Sequence, residues 1–343
     1  MNIQQLFGIE LPIIQAPMAG VQTSAMAIAV SNAGGLGSLP CAMLTPDGLR
    51  TELKAIAAQT TRPYNVNFFC HQPTAPDPAR EAKWRAALAP YYAEFGIDPA
   101  TVPTGGGRAP FSAEVAELIA EFKPPVLSFH FGLPPQDLLD RVKGWGAKVI
   151  ASATTVEEAR WLEAHGVDAV IAQGVEAGGH RGIFLSDDLT TQVGTMALLP
   201  QVVRAVKVPV IAAGGIADRQ GVVAALALGA AGVQIGTSFM LCPEATVTPM
   251  HRAALQGPRA EHTTLTNVFT GRPARGMYNR IMKELGALSD APPAFPFATA
   301  ALAPLKAAAE KLGRDDFSSL WSGQNATGCR AIPAAELLRS LIP

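Results

Sequence analysis

The sequence predicts a (β/α)8 TIM barrel with a smaller, mostly helical second domain, and three observations point to it. Eight short β-branched runs recur along the chain up to Gly236. Each is followed by a Gly, Pro or Ser/Thr turn and then a helical pattern, the one-dimensional signature of parallel strands joined by crossover helices. The last two runs end in glycine turns, and the 343 residues, 48% of them hydrophobic, exceed the roughly 250 that a bare barrel needs. An open doubly wound sheet shows the same alternation, but eight strands ending near Gly236 match a closed barrel better.

In order, the strands are predicted at Pro12 to Ala16, Leu36 to Pro40, Tyr64 to Phe69, Val126 to Phe131, Lys148 to Ser152, Ala169 to Gln173, Val208 to Ala213 and Gly232 to Gly236. Among the helices between them, Thr155 to His165 opens on Thr-Val-Glu-Glu, a capping-box start. Arg219 to Leu228 is closed by Gly229 in the C-terminal position. Two stretches fall outside the repeat. His71 to Pro110 is long and rich in Pro and Gly, with a helix around Glu81 to Leu88, and reads as an insertion after the third strand. Beyond Pro243, helical patterns are broken by the Pro-rich Ala291 to Pro296. The domains are therefore set at residues 1–242 for the barrel, with its insertion at about 71–110, and 243–343 for a helical substrate cap whose last helices pack back on the barrel. Insertions in the βα loops sit on the catalytic face of a barrel.

A formal charge of −1 and the absence of any Lys/Arg run leave no electrostatic footprint for nucleic acid or anionic lipid. Small molecules are the expected partners, and a homodimer is the simplest assembly open to the chain. The four cysteines, Cys41, Cys70, Cys242 and Cys329, have no C-x-x-C spacing, which fits a reduced, cytoplasmic setting. The N-terminal stretch has no basic n-region, and no 18 consecutive apolar residues occur, so neither secretion nor a membrane span is expected.

The most specific local signal is paired: Ile211-Ala-Ala-Gly-Gly-Ile-Ala-Asp218 after the seventh strand, and Gly232-Val-Gln-Ile-Gly-Thr-Ser-Phe239 across the eighth. Loops in these places commonly cradle a phosphate, aided by a following helix N-terminus. Gly214, Gly215 and Gly236 let main-chain N–H groups approach phosphate oxygens, and Thr237 adds a hydroxyl. Alone, either turn is as readily a strand terminator. Together, at consecutive turns, they favour a phosphate without naming its owner.

The first strand ends in Ile14-Gln-Ala-Pro-Met-Ala-Gly20, where Ala16, Pro17 and Met18 form an apolar turn suited to a flat ring. Asn67 ends the third strand with both a donor and an acceptor. The sixth runs into Ile171-Ala-Gln-Gly-Val-Glu-Ala-Gly-Gly-His-Arg-Gly182, where Gly178 and Gly179 precede His180. A histidine after two glycines on the catalytic face is poorly placed for packing and well placed to reach substrate. His130 lies within an apolar strand and reads either as a pocket residue or as a satisfied core histidine. Glu176 reads equally as a base or as a capping residue.

In combination these motifs resemble the nitronate monooxygenases, formerly called 2-nitropropane dioxygenases, of the class with Q-G-x-E-A-G-G-H-x-G. The resemblance extends from Gln15-Ala-Pro-Met18 through Ser128-Phe-His-Phe-Gly132 to Thr270-Gly-Arg-Pro-Ala-Arg275 and Leu320-Trp-Ser-Gly-Gln324. It implies FMN as cofactor, nitronate and dioxygen as substrates, and no metal. It further implies FMN contacts from Asn67, Gln173, Gly178, Gly215 and the run Gln234, Ile235, Gly236 and Thr237, with Met18 and its neighbours beside the ring and Ser152 reaching it. His180 matches the active-site histidine and His130 a second pocket histidine. The alternative on the same scaffold is an NAD(P)H-dependent flavin reductase of quinones or enoyl thioesters. The tail departs from the family pattern: where some members have tyrosines and a lysine, this chain has Phe295, Phe297 and Thr299, with Lys306 further on. Phe295 and Phe297 are expected to wall the pocket. Arg272 and Arg275 read either as a screen for an anionic substrate or as a salt-bridged surface turn.

Overall fold

Each run forms a strand because its alternate side chains enter different layers. The computed structural model describes residues 2–343. Its strands are β1 (Ile13–Gln15), β2 (Gly37–Pro40), β3 (Tyr64–Phe69), β4 (Val126–His130), β5 (Lys148–Ala153), β6 (Ala169–Gln173), a short β7 (Gly179–His180), β8 (Val210–Ala213) and β9 (Gly232–Ile235). All but β7 pair in parallel, in the order β1-β9-β8-β6-β5-β4-β3-β2. The ring closes between β1 and β2, where Leu36 N donates to Ile13 O and Gln15 N to Leu36 O, each at 3.0 Å. The eight predicted strands are the eight barrel strands, and the fold is a TIM barrel.

Tyr64, Val66 and Phe68 of β3 pack outward with helix residues such as Leu53 and Ile56. Asn65 and Asn67 face the barrel interior. Apolar side chains fill its lower end, where Ile14, Val126, Ile150 and Ile211 meet Ile3 and Phe7 of the N-terminal helix Ile3–Phe7. Above them lies a buried polar layer. Buried polar groups are costly unless bonded, and here Asn65 Nδ2 donates to Ser38 Oγ (3.0 Å) and Ser128 Oγ (2.8 Å), while Gln15 Nε2 donates to Gln22 Oε1 (2.6 Å). This layer is the floor of the site.

The helix Val156–Ala164 is capped by Thr155, whose hydroxyl accepts from Glu158 N. The reciprocal half of a capping box is absent. Instead the buried Glu158 carboxylate accepts from Thr154 N and from Phe184 N, both at 2.6 Å, and so fastens the segment after β7.

The insertion and the tail share one apolar core. Trp84, Leu88 and Tyr92 of the helix Pro78–Glu94 pack on Ala301, Leu302 and Leu305 of the helix Ala298–Lys311. Trp84 Nε1 donates to Ala298 O (3.0 Å) and Tyr92 Oη to Ala301 O (2.7 Å). The tail is less helical than the sequence suggests: β10 (Thr263–Thr266) and β11 (Ala274–Met277) form an antiparallel pair, and β11 also pairs with β7, placing Ala274 opposite His180 and Arg275 opposite Gly179. Four-residue and two-residue strands are too short to show an alternation signal. The last helix, Ala334–Ser340, returns to the barrel core through Ala334, Leu337 and Leu338. Among the described residues no helix is long and apolar enough to cross a membrane.

Candidate active site

At the C-terminal ends of the barrel strands lies a cavity of about 1310 Å³, its open mouth included. Every site residue predicted from the sequence lines it except Ile235. The side chain of Ile235 is 1% exposed and belongs to the core between barrel and helices; it is the Ile235 carbonyl that contributes, accepting from Ala16 N at 2.8 Å and fixing the end of β1. The rest of the lining divides into a phosphate end, a ring end and a histidine wall.

At the phosphate end, the main-chain N–H groups of Gly214, Gly215, Gly236 and Thr237 make no hydrogen bond among the described residues. Such groups are rarely left unpaired when enclosed. The helix expected after the eighth barrel strand is only the 3-10 turn Thr237–Leu241, so this end of the cavity offers N–H donors rather than a helix macrodipole. Thr237 Oγ1 accepts from Gly323 N (2.9 Å), which leaves its own hydrogen free to donate. Asn325 Nδ2 donates to Gly215 O (3.1 Å) and Gln324 N to Glu176 O (2.9 Å), so residues 323–325 form a strap across this end. A Cβ at Gly178 would lie 2.5 Å from Gly323 N, and only glycine lets the chain just before β7 meet the strap. Sequence reasoning gave Gly323 and Asn325 no role. Glu176 is a cap and lies outside the cavity: its carboxylate accepts from Thr195 N and Oγ1 at 2.8 to 2.9 Å, supplying the helix Thr195–Ala205 with the cap that Gly194 lacks.

At the ring end, Ala16, Pro17 and Met18 present an apolar face, held by Met18 N donating to Gln22 Oε1 (3.1 Å). Asn67 Nδ2 is spent on Ser128 O (3.1 Å) and Oγ (2.9 Å). Gln234 Oε1 is buried with no hydrogen-bond partner. An unpaired buried amide oxygen costs about 1–3 kcal/mol, which a ligand N–H would offset.

The histidine wall is cross-braced. His130 Nε2 lies 3.1 Å from the His180 carbonyl and Nδ1 lies 3.1 Å from Ser152 Oγ. A carbonyl only accepts, so Nε2 carries the hydrogen and the Ser152 hydroxyl donates to Nδ1. Burial pushes the His130 pKa down to about 4, with the charges of Arg272 and Arg181 acting in the same direction against the His180 carbonyl. Gln173 Nε2 also donates to His180 O (3.1 Å), and Gln173 Oε1 accepts from Gly182 N (2.7 Å). His130 Nε2 and both ends of Gln173 are thus used in holding the β7 segment, while Ser152 of β5 fixes the other nitrogen of His130. Arg181, wholly buried, braces the same segment through the carbonyls of Gln173 and Gly174, each at 2.7 Å.

His180 itself bonds through Nε2 to Thr270 Oγ1 (2.9 Å), while its Nδ1 has no hydrogen bond among the described residues. Its ring sits among Phe69, Phe131, Phe295 and Trp321 at centroid distances of 5.6 to 6.1 Å. Burial in this aromatic setting, then the Arg108 charge, hold its pKa well below 6.5, with His130, Arg272 and His71 adding to the effect. His180 is a neutral imidazole at neutral pH.

Phe295 stands behind His180 rather than on the cavity wall, Phe297 does not reach the wall, and Lys306 is a surface residue 3.9 Å from Glu310. The salt-bridged surface turn expected for the tail arginines is not formed among the described residues. The Arg272 guanidinium covers the Phe131 ring at 4.0 Å, and Arg275 donates to Val175 O (2.8 Å) from a buried position. Arg108 and Trp321 line the cavity without having been singled out as site residues; Arg108 lay inside an irregular insertion, and Trp321 was visible only within the Leu320 to Gln324 run. Among the described residues no carboxylate lines the cavity, so its charge favours anions.

The model of the nitronate monooxygenase family matches residues 2–343. A nitronate monooxygenase from Pseudomonas aeruginosa is 46% identical over 341 residues, covering 98% of this chain and 97% of the relative. Another, from Paraburkholderia phytofirmans, is 45% identical and covers 98% of this chain and 92% of its own length. Among solved structures, a nitroalkane oxidase from Streptomyces ansochromogenes superposes with a TM-score of 0.89 at 39% identity, covering 99% of this chain and 96% of that one. FabK from Thermotoga maritima reaches 0.71 at 28% identity, covering 99% and 94%. With its barrel, its glycine cradle and a match along essentially its whole length, this chain belongs to the nitronate monooxygenase family.

Proposed function

We propose that this protein oxidises alkyl nitronates, using FMN and dioxygen, to a carbonyl compound and nitrite. The observation that carries the reading is a neutral His180, held through Thr270 and the His130–Ser152 pair, in a cavity that no carboxylate of the described residues lines and beside four main-chain N–H donors that no protein group accepts from.

The residues fit FMN. The N–H groups of Gly214, Gly215, Gly236 and Thr237 would hold the phosphate, the Ala16 to Met18 turn would lie against the ring, and the orphan Gln234 Oε1 is an acceptor for a ring N–H. When bound, FMN would supply the redox chemistry between the nitronate and dioxygen.

The chain's own part is binding, orientation and proton handling. Because the Thr270 hydroxyl both donates and accepts, His180 can present Nδ1 either as a base to a nitroalkane carbon or as a donor to a nitronate oxygen. Arg108 and Arg272 give the cavity a positive field that opposes protonation of His180 and stabilises an anion beside it. The β7–β11 pairing and the Glu158 anchor keep this wall in place while substrate binds.

The test is oxygen uptake and nitrite release from a nitronate with no nicotinamide present. Matched oxygen consumption and nitrite release support the reading. An FMN-loaded protein that releases no nitrite contradicts it. A second reading, an NAD(P)H-dependent flavin reductase of quinones or enoyl thioesters, draws on the cofactor end alone, since the N–H cradle and Gln234 would serve any flavin enzyme on this scaffold. It requires reduction by NADH.

A further inference from the structure

We propose that Arg108 is a specificity-determining residue that binds a carboxylate carried by the substrate at the end remote from the reacting carbon. This rests on the nitronate reading above.

The loop that delivers Arg108 is unusual. Residues 103–107 and 109 are exposed, and Arg108 alone in that stretch turns inward to line the cavity. Gly106 makes this course feasible: a Cβ there would lie 2.9 Å from Pro296 Cγ, so the loop lies directly on the tail before turning in. The guanidinium has no acidic partner. Its contacts are Met43 Sδ, 3.8 Å from Nη2, and the Phe295 ring, 5.7 Å from Cζ, and it forms no ion pair among the described residues.

Arg108 is half-buried, and holding an arginine partly out of solvent without a counter-charge costs free energy that an anion on a ligand would offset. The cavity contains no carboxylate to supply it. The other arginines nearby do not line the cavity: Arg272 covers the Phe131 ring and bonds to Ile183 O, leaving only its buried Nε without a partner, and Arg181 and Arg275 bond to main-chain carbonyls. Position decides which part of the substrate Arg108 meets. Met43, beside the guanidinium, is 52% exposed, whereas Thr270, bonded to His180, is 3% exposed, so Arg108 lies on the mouth side of the site. A nitronate whose reacting carbon faces His180 would extend its tail toward Arg108. The planar fork of the guanidinium suits a carboxylate there.

The experiment compares kcat/KM for propionate 3-nitronate with that for the nitronate of 1-nitrobutane, which has a neutral tail, in the FMN-loaded wild type, Arg108→Gln and Arg108→Lys. The expected result is a fall of roughly 10- to 100-fold in the ratio of the two values for Arg108→Gln, with part of it restored in Arg108→Lys. A ratio that stays within about twofold in Arg108→Gln overturns the proposal, since a group acting on the nitronate itself moves both substrates together. A binding measurement separates this failure from failure of the nitronate reading. Glutarate should quench the protein's tryptophan fluorescence at lower concentration than butyrate in the wild type, and the difference should vanish in Arg108→Gln whether or not either nitronate is oxidised. Equal binding of glutarate and butyrate by the wild type also overturns it.

Discussion

His130 donates from Nε2 to the main-chain oxygen of His180, 3.1 Å away, so one histidine of the pocket serves to hold the other. With Ser152 on Nδ1, the His130 ring has no hydrogen-bonding capacity left for substrate. Its role is positioning. We expect His130→Ala to lower kcat roughly 10- to 100-fold, the usual scale for a reacting group displaced by about 1 Å, with a much smaller change in KM. Steady-state kinetics check this. A rise in KM with kcat unchanged would place His130 in substrate binding instead.

The depressed pKa of His180 sets the pH profile. Burial and neighbouring positive charge favour the neutral ring, so the base is available above its lowered pKa and is lost only when the pH falls through that value. Activity on a preformed nitronate should therefore show no acid limb centred near 6.5. His180→Ala should cost about 10²- to 10⁴-fold on the neutral nitroalkane, where a proton must be removed, and less on the nitronate. An acid limb near 6.5 in the wild type that disappears in His180→Ala would contradict the buried, neutral assignment.

The same burial links stability to pH. The native pKa values of His130 and His251 are pushed down to about 4 from 6.5, in both cases chiefly by desolvation. The unfolded chain binds protons that the native state refuses, so stability present above pH 6.5 is lost as the pH falls from 6.5 toward 4. Each histidine contributes a slope of up to about 1.4 kcal/mol per pH unit. Urea unfolding between pH 6.5 and 5.5, above the range of ordinary carboxylates, should show this decline. A flat profile across that interval would refute it.

Gly178, immediately before β7, is where the chain touches the strap. An added Cβ would lie 2.5 Å from Gly323 N and 2.6 Å from the Ser322 carbonyl carbon, so backbone must move. Gly178→Ala is expected to destabilise the fold by about 1–3 kcal/mol and to release the flavin faster. Thermal unfolding and retention of FMN on dialysis measure both effects. Unchanged stability and retention would mean that the strap does not close the phosphate end.

The barrel was legible because each of its strands is a β-branched run bounded by turn residues, with a crossover helix following. The convergence of Gly214, Gly215, Gly236 and Thr237 on one cavity was legible because glycines recur at two consecutive turns. The β7–β11 pairing was hidden: Gly179 and His180 carry no alternation, and their partners lie 94 to 96 residues further on, from 274 − 180 to 275 − 179. Arg108 was obscured for a different reason, since an irregular insertion gives no periodic signal of which way a side chain turns. Ile235 shows the opposite limit: it sits inside a strongly patterned motif yet contributes only its carbonyl, while of the two readings open for Glu176 the structure shows the cap.

The most direct test of the central claim is an anaerobic absorbance titration of the FMN-supplied protein, first with propionate 3-nitronate and separately with NADH. Bleaching of the flavin band by the nitronate and not by NADH is the expected result. Rapid bleaching by NADH with none by the nitronate, or the absence of any flavin band after FMN is supplied, would contradict it.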